Sequence, residues 1–132
     1  MKKSLGFTTL ALALSIWSMP SAQAAFQEND YDCEIGNLED SYSCAKNAIS
    51  TEKKRLNKVY MNVYQKLSAS QKKALDDQQI AWIRKRDNEC NTTDFSDLPG
   101  NMGVWQTISD NLCIARETQN RTKFLMNKYK VK

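Results

Sequence analysis

Histidine is absent from this 132-residue chain. That removes the commonest general base and the commonest metal ligand together. There is no glycine-rich phosphate loop, no G-x-S-x-G elbow and no H-E-x-x-H pair. No carboxylate lies in an apolar run that would raise its pKa for paired acid–base hydrolysis. Neither catalysis nor a cofactor is expected. Glycine and proline are scarce too, at four and two residues, so little interrupts helix formation. The mostly apolar stretch 5–17 falls short of the ~20 residues of a membrane span.

What is present begins with an export pattern. Lys2 and Lys3 precede the apolar stretch, and Met19, Pro20 and Ser21 break it. Ala22-Gln23-Ala24 then puts small residues where signal peptidase reads. Residues 1–24 are therefore expected to be cleaved, with Ala25 as the new terminus and no membrane anchor. The compact pattern is of the bacterial kind, and the expected destination is the periplasm, where nucleic acid is not a partner. Thiols oxidise there, so the even set Cys33, Cys44, Cys90 and Cys113 reads as two disulfides.

Charge is unevenly distributed. Residues 25–40 hold six acids (Glu28, Asp30, Asp32, Glu34, Glu39 and Asp40) and no base, whereas residues 41–132 hold 17 bases and nine acids. The expectation is one domain in two parts, an acidic leader over 25–40 and a basic helical body over 41–132. Such a leader either folds back onto the body or faces a cationic partner. Asp30, Asp32 and Glu34 are the candidate partner-contacting residues of the leader, and Asp94, Phe95 and Asp97 those of the one long loop.

Three helices are predicted. In the first, over 40–67, Ala45, Ala48, Ile49, Leu56, Val59, Tyr60, Val63, Tyr64 and Leu67 recur at helical steps. Lys53, Lys54, Arg55, Lys58 and Lys66 fall off that stripe, and Asp40 or Ser41 is the expected cap. Ser68 with Gln71 fits a capping box for a second helix over 71–90, antiparallel to the first. Its inward face, Leu75, Gln78 or Gln79, Trp82, Ile83 and Arg86, is polar enough to demand a hydrogen-bonded network. Residues 91–103 are turn chemistry, and a third helix follows over 104–129. The basic residues 128–132 are expected to fray. The fold class is thus all-α: a small three-helix bundle, an αα-hairpin plus a third helix, stapled by two disulfides. Cys33–Cys44 with Cys90–Cys113 closes short loops and clamps the irregular stretch, so that pairing is favoured. Cys44–Cys90 with Cys33–Cys113 is the alternative.

The stretch Gln79-Ile80-Ala81-Trp82-Ile83-Arg84-Lys85-Arg86-Asp87-Asn88-Glu89-Cys90 resembles the Q-x-A-W-x-x-x-R-D-x-x-C signature of the LprI family of secreted bacterial proteins. Downstream, Cys113, Thr118, Arg121 and Leu125 fit that family's C-x4-T-x2-R-x3-L. Upstream, Cys33, Cys44 and Leu56-Asn57-Lys58-Val59-Tyr60 resemble its paired cysteines and L-N-x-x-Y helix. Lys85 and residues 100–104 depart from its usual aromatic and Gly-Gly pair. In this signature Trp82 reads as a core anchor, and Gln79, Arg86, Asp87, Thr118 and Arg121 as a buried polar network tying the second helix to the third. The resemblance implies a non-enzymatic inhibitor of lysozyme or another peptidoglycan hydrolase, acting by steric occlusion. The alternative is an envelope stress or structural adaptor that binds cell-wall polymer or another envelope protein. Oligomeric state is not legible at this level.

Overall fold

A computed structural model describes residues 26–91 and 97–131. The expected signal, 1–24, and two candidate loop residues, Asp94 and Phe95, lie outside the described residues. Three helices follow in order: α1 Leu38–Tyr64, α2 Ala69–Cys90 and α3 Met102–Tyr129. The three-helix all-α bundle is as the periodicity predicts.

The helix ends show where local chemistry decides. Gly36 takes φ 84°, a turn glycine makes without steric cost, and Asn37 then caps α1 by accepting from the Asp40 amide at 2.9 Å. The cap is therefore Asn37 and not Asp40 or Ser41. At its other end α1 stops at Tyr64, where Lys66 and Leu67 donate to the carbonyls three residues back and tighten the last turn. The expected capping box opens α2: Ser68 Oγ accepts from Gln71 N at 3.4 Å, and Ser68 N donates to Gln71 Oε1 at 2.9 Å. The C-terminal residues do not all fray as the sequence suggests. Lys130 turns left-handed at φ 52°, and Val131 N donates to Met126 O at 3.3 Å. This closure of α3 folds Val131 back into the core.

The long axis is the α1–α3 pair, packed along its length, while α2 joins it mainly through α3. Ala45 and Ala48 of α1 and Ala115 of α3 are all buried, and their small side chains let the two helices approach closely. One core cluster gathers Leu56, Val59, Val63, Leu75, Leu125 and Val131, and a second gathers Cys33, Ala45 and Ile108. Leu125 is fully buried, which stabilises the fold by about 1.5–3 kcal/mol.

Both expected disulfides are present, Cys33–Cys44 and Cys90–Cys113. The second one matters for α2, whose only buried residues are Leu75 and Cys90. That helix is buried at Leu75 and Cys90, and between them the half-buried Trp82 reaches the core. Ile83, expected to face inward, is instead 37% exposed, and Gln78 points outward to Lys128 at 3.5 Å. The large polar and aromatic side chains in the seam leave no room for close helix–helix contact.

Candidate functional site

The acidic leader is a fixed strap laid across α1 and α3. From Asn29 to Glu34 its side chains alternate: Asn29, Tyr31 and Cys33 turn inward, while Asp30, Asp32 and Glu34 are exposed. Extended backbone gives this period of two. Three acids therefore stand on one face, spaced at about 7 Å.

The inward residues are each held by chemistry from the helices. Gln119 of α3 grips the Asn29 backbone from both sides, accepting from its N–H at 2.7 Å and donating to its carbonyl at 3.2 Å. Arg116 donates to the Tyr31 carbonyl at 3.2 Å. Glu52 of α1 has no exposed surface. It accepts from the Tyr31 hydroxyl, from Asn29 Nδ2 at 2.8 Å and from Arg55 at 2.9 Å, all on Oε1. Burial, and then the bond to Glu52, push the Tyr31 phenol up to about 12. Arg55 also donates to the Gln27 carbonyl at 2.7 Å, with its guanidinium 4.2 Å from the Phe26 ring centroid. Glu28 pairs with Lys123. Finally, Cys33 is tied covalently to Cys44.

Arg55 corrects the sequence reading that placed it in solvent: it is half-buried and is a principal fixing of the strap. Neither Glu52 nor Gln119 was singled out. Glu52 carried a signal, because it occupies a stripe position four residues after Ala48 and four before Leu56.

At the end of the bundle where α1 and α3 begin, a shallow cleft is lined by Tyr42, Leu98, Gly100, Gly103, Val104 and Thr107. Ile35, Tyr42, Met102 and Trp105 are exposed there at 49%, 38%, 56% and 45%. Glu34, Glu39, Asp40 and Asp97 are exposed at this same end. The strap and this end together make an acidic surface with apolar centres.

The signature residues meet elsewhere, between α2 and its neighbours. Arg86 donates twice to Asp87, at 2.9 and 2.7 Å, and reaches Thr118 Oγ1 at 3.5 Å. Arg121 donates to Gln79 Oε1 at 3.0 Å. The guanidiniums of Arg86 and Arg121 lie 5.0 and 5.6 Å from the Trp82 ring centroid. The network thus ties α2 to α3. Trp82 is half-buried: it packs against the core cluster and also borders a groove between α1 and α2. Arg121 Nη2 is buried without a partner, and burial lowers the Arg121 pKa.

No group of three or more histidine, cysteine, aspartate or glutamate side chains suited to a metal ion occurs among the described residues. No helix among them is long and apolar enough to cross a membrane. Compared with known proteins, residues 33–125 match the family model described as "Lysozyme inhibitor LprI". A search of curated proteins and a search of solved structures returned no match.

Proposed function

The chain belongs to the LprI family over residues 33–125, and on that premise we propose that it is an exported inhibitor of lysozyme or a related peptidoglycan hydrolase. Members of this family are non-catalytic binding proteins. The reading places the mature protein in the periplasm after cleavage near Ala24. There it covers the face of a hydrolase and blocks access to the cleft, making and breaking no bonds.

The observation that carries this reading is the strap. Asp30, Asp32 and Glu34 stand exposed in a row because Asn29, Tyr31 and Cys33 are anchored beneath them. An extended acidic edge on a rigid support complements a cationic enzyme and steers its approach. Because the backbone is already fixed, binding loses little conformational entropy. Asp97 and the exposed Trp105 and Met102 extend the same surface with apolar contact area.

The test is inhibition of cell-wall lysis by a panel of lysozymes of differing charge. Wild-type protein is expected to inhibit the cationic members, with potency falling as salt rises. Substituting Asp30→Lys, Asp32→Lys and Glu34→Lys together should weaken that inhibition by about tenfold or more. Unchanged potency would remove the strap from the interface, and no inhibition of any lysozyme would remove the function.

A further inference from the structure

Helix α1 carries a surface that the strap does not use. Lys46, Lys53, Lys54 and Lys58 are all exposed along it, spanning about 18 Å, and Lys66 is exposed just past its end. Between Ser41 and Leu75 the only acid is Glu52, and its carboxylate is buried against Arg55 and the strap. The contrast with α2 is informative. There Lys73 pairs with Asp77 at 2.8 Å and Lys85 with Glu89 at 3.7 Å, each one helical turn apart. On α1 the corresponding neighbours are like charges, Lys54 and Lys58, an arrangement that weakens a helix. A face kept basic at that cost is set up for a negative partner.

Beside the row runs the groove between α1 and α2. Lys53, Asn57 and Tyr60 line its α1 wall, Asp76, Ile80 and Ile83 its α2 wall, and Gln79 its floor. Ile80 is 50% exposed. Beneath Gln79 lies Arg121, only 9% exposed, its Nη2 unpartnered. The groove therefore offers an amide, an apolar wall and an ammonium, with the Asp76 carboxylate taken up by the Tyr60 hydroxyl, over a guanidinium that pairs with no carboxylate among the described residues.

We propose that this face of α1, with the groove beside it, binds a linear carboxylate-bearing glycan, the peptidoglycan polymer itself. A row of separate cations suits an extended polyanion better than a compact ion. Amide and apolar groups at its edge suit N-acetylated sugars with short peptides. Lipid fits less well, because the exposed side of α1 presents Asn47, Thr51, Lys54 and Lys58, with Met61 and, at the helix start, Tyr42 its large exposed apolar side chains. The inference rests on the proposed export, and it gives the two charged surfaces separate roles. The basic face holds the protein on the polymer, and the acidic strap meets the enzyme that attacks it.

The experiment is co-sedimentation of the oxidised protein with purified insoluble peptidoglycan. Chitin serves as the uncharged glycan, and phosphatidylglycerol vesicles and duplex DNA as other polyanions. Binding to peptidoglycan but not chitin is expected, and it should be lost in about 1 M salt, where the screening length is about 3 Å. The variant K53Q/K54Q/K58Q should bind about tenfold more weakly. These side chains are exposed, so circular dichroism should match the wild type. The same variant should still inhibit lysozyme on a soluble oligosaccharide, where the strap acts alone. Loss of inhibition there would make the basic face the hydrolase interface and overturn the proposal. So would undiminished peptidoglycan binding by the variant, tighter binding to vesicles or DNA, or self-association at low salt that the three substitutions abolish.

Discussion

Tyr31 donates its hydroxyl hydrogen bond to Glu52, a carboxylate with no exposed surface. Ionising the phenol would bring a second negative charge to that carboxylate and remove its donor. Burial and this bond raise the Tyr31 pKa from 10.0 to about 12. The sign follows from the neutral form being favoured in the folded state. The stabilisation is fully present below pH 10 and is lost as pH rises from there through about 12. An absorbance titration at 295 nm should show one tyrosine ionising near pH 12, absent in Tyr31→Phe. That variant should also be destabilised by about 1–3 kcal/mol, because Glu52 loses a donor while its Oε2 already has none. A Tyr31 that titrates near its ordinary value would show that the strap is not held this way. The burial of Glu52 was legible from its place on the apolar stripe. Its partners were not, because Asn29 and Tyr31 belong to an irregular segment whose path no helical periodicity describes.

Among the elements, the legibility of each helix followed its amphipathicity. For α1 the stripe was strong, and its buried residues recur at helical steps; α3 also buries Asp110, Gln119 and Arg121, which no apolar pattern marks. Their ends were less legible because they depend on single residues: Gly36 freed Asn37 to cap, and Lys130 turned the chain so that Val131 could pack. For α2 the spacing predicts a polar inward face, and the structure shows its consequence, a helix held apart from α1 by the Trp82–Arg86–Arg121 seam. With Leu75 and Cys90 its only buried residues, α2 depends on the Cys90–Cys113 bridge, which spans 23 residues. Replacing both cysteines with serine should cost about 2–4 kcal/mol. Hydrogen exchange should then accelerate in the second half of α2 while the α1–α3 pair stays protected. Uniform acceleration across all three helices would mean that α2 is integral to the core. The strap held a sequence signal of its own: from 29 to 34, acids alternate with Asn29, Tyr31 and Cys33, a period of two that marks an extended segment with one face anchored.

At the scale of the whole molecule, covalent and electrostatic design meet at the Cys33–Cys44 bridge. It closes only 11 residues and lies within the smaller core cluster, while the larger cluster is built from α1, α2, α3 and Val131 without it. The bundle therefore has little need of this bridge, whereas the strap does. With Cys33 released, the acidic row would be held by hydrogen bonds to Gln119, Glu52, Arg55 and Arg116 and by one ion pair, Glu28 with Lys123. Those contacts, part-buried at Glu52 and Gln119 and exposed elsewhere, are individually worth about 1 kcal/mol. Substituting Cys33→Ser and Cys44→Ser should leave helix content near wild type while making residues 26–37 sensitive to protease. If the strap is the inhibitory edge, hydrolase inhibition should weaken by about tenfold, since binding must then order a segment that was previously fixed. High salt should weaken the variant further, because the Glu28–Lys123 pair then supplies part of what the disulfide had supplied. Retained potency together with a protease-sensitive strap would separate the two, and would move the inhibitory surface to the cleft at the start of α1 and α3.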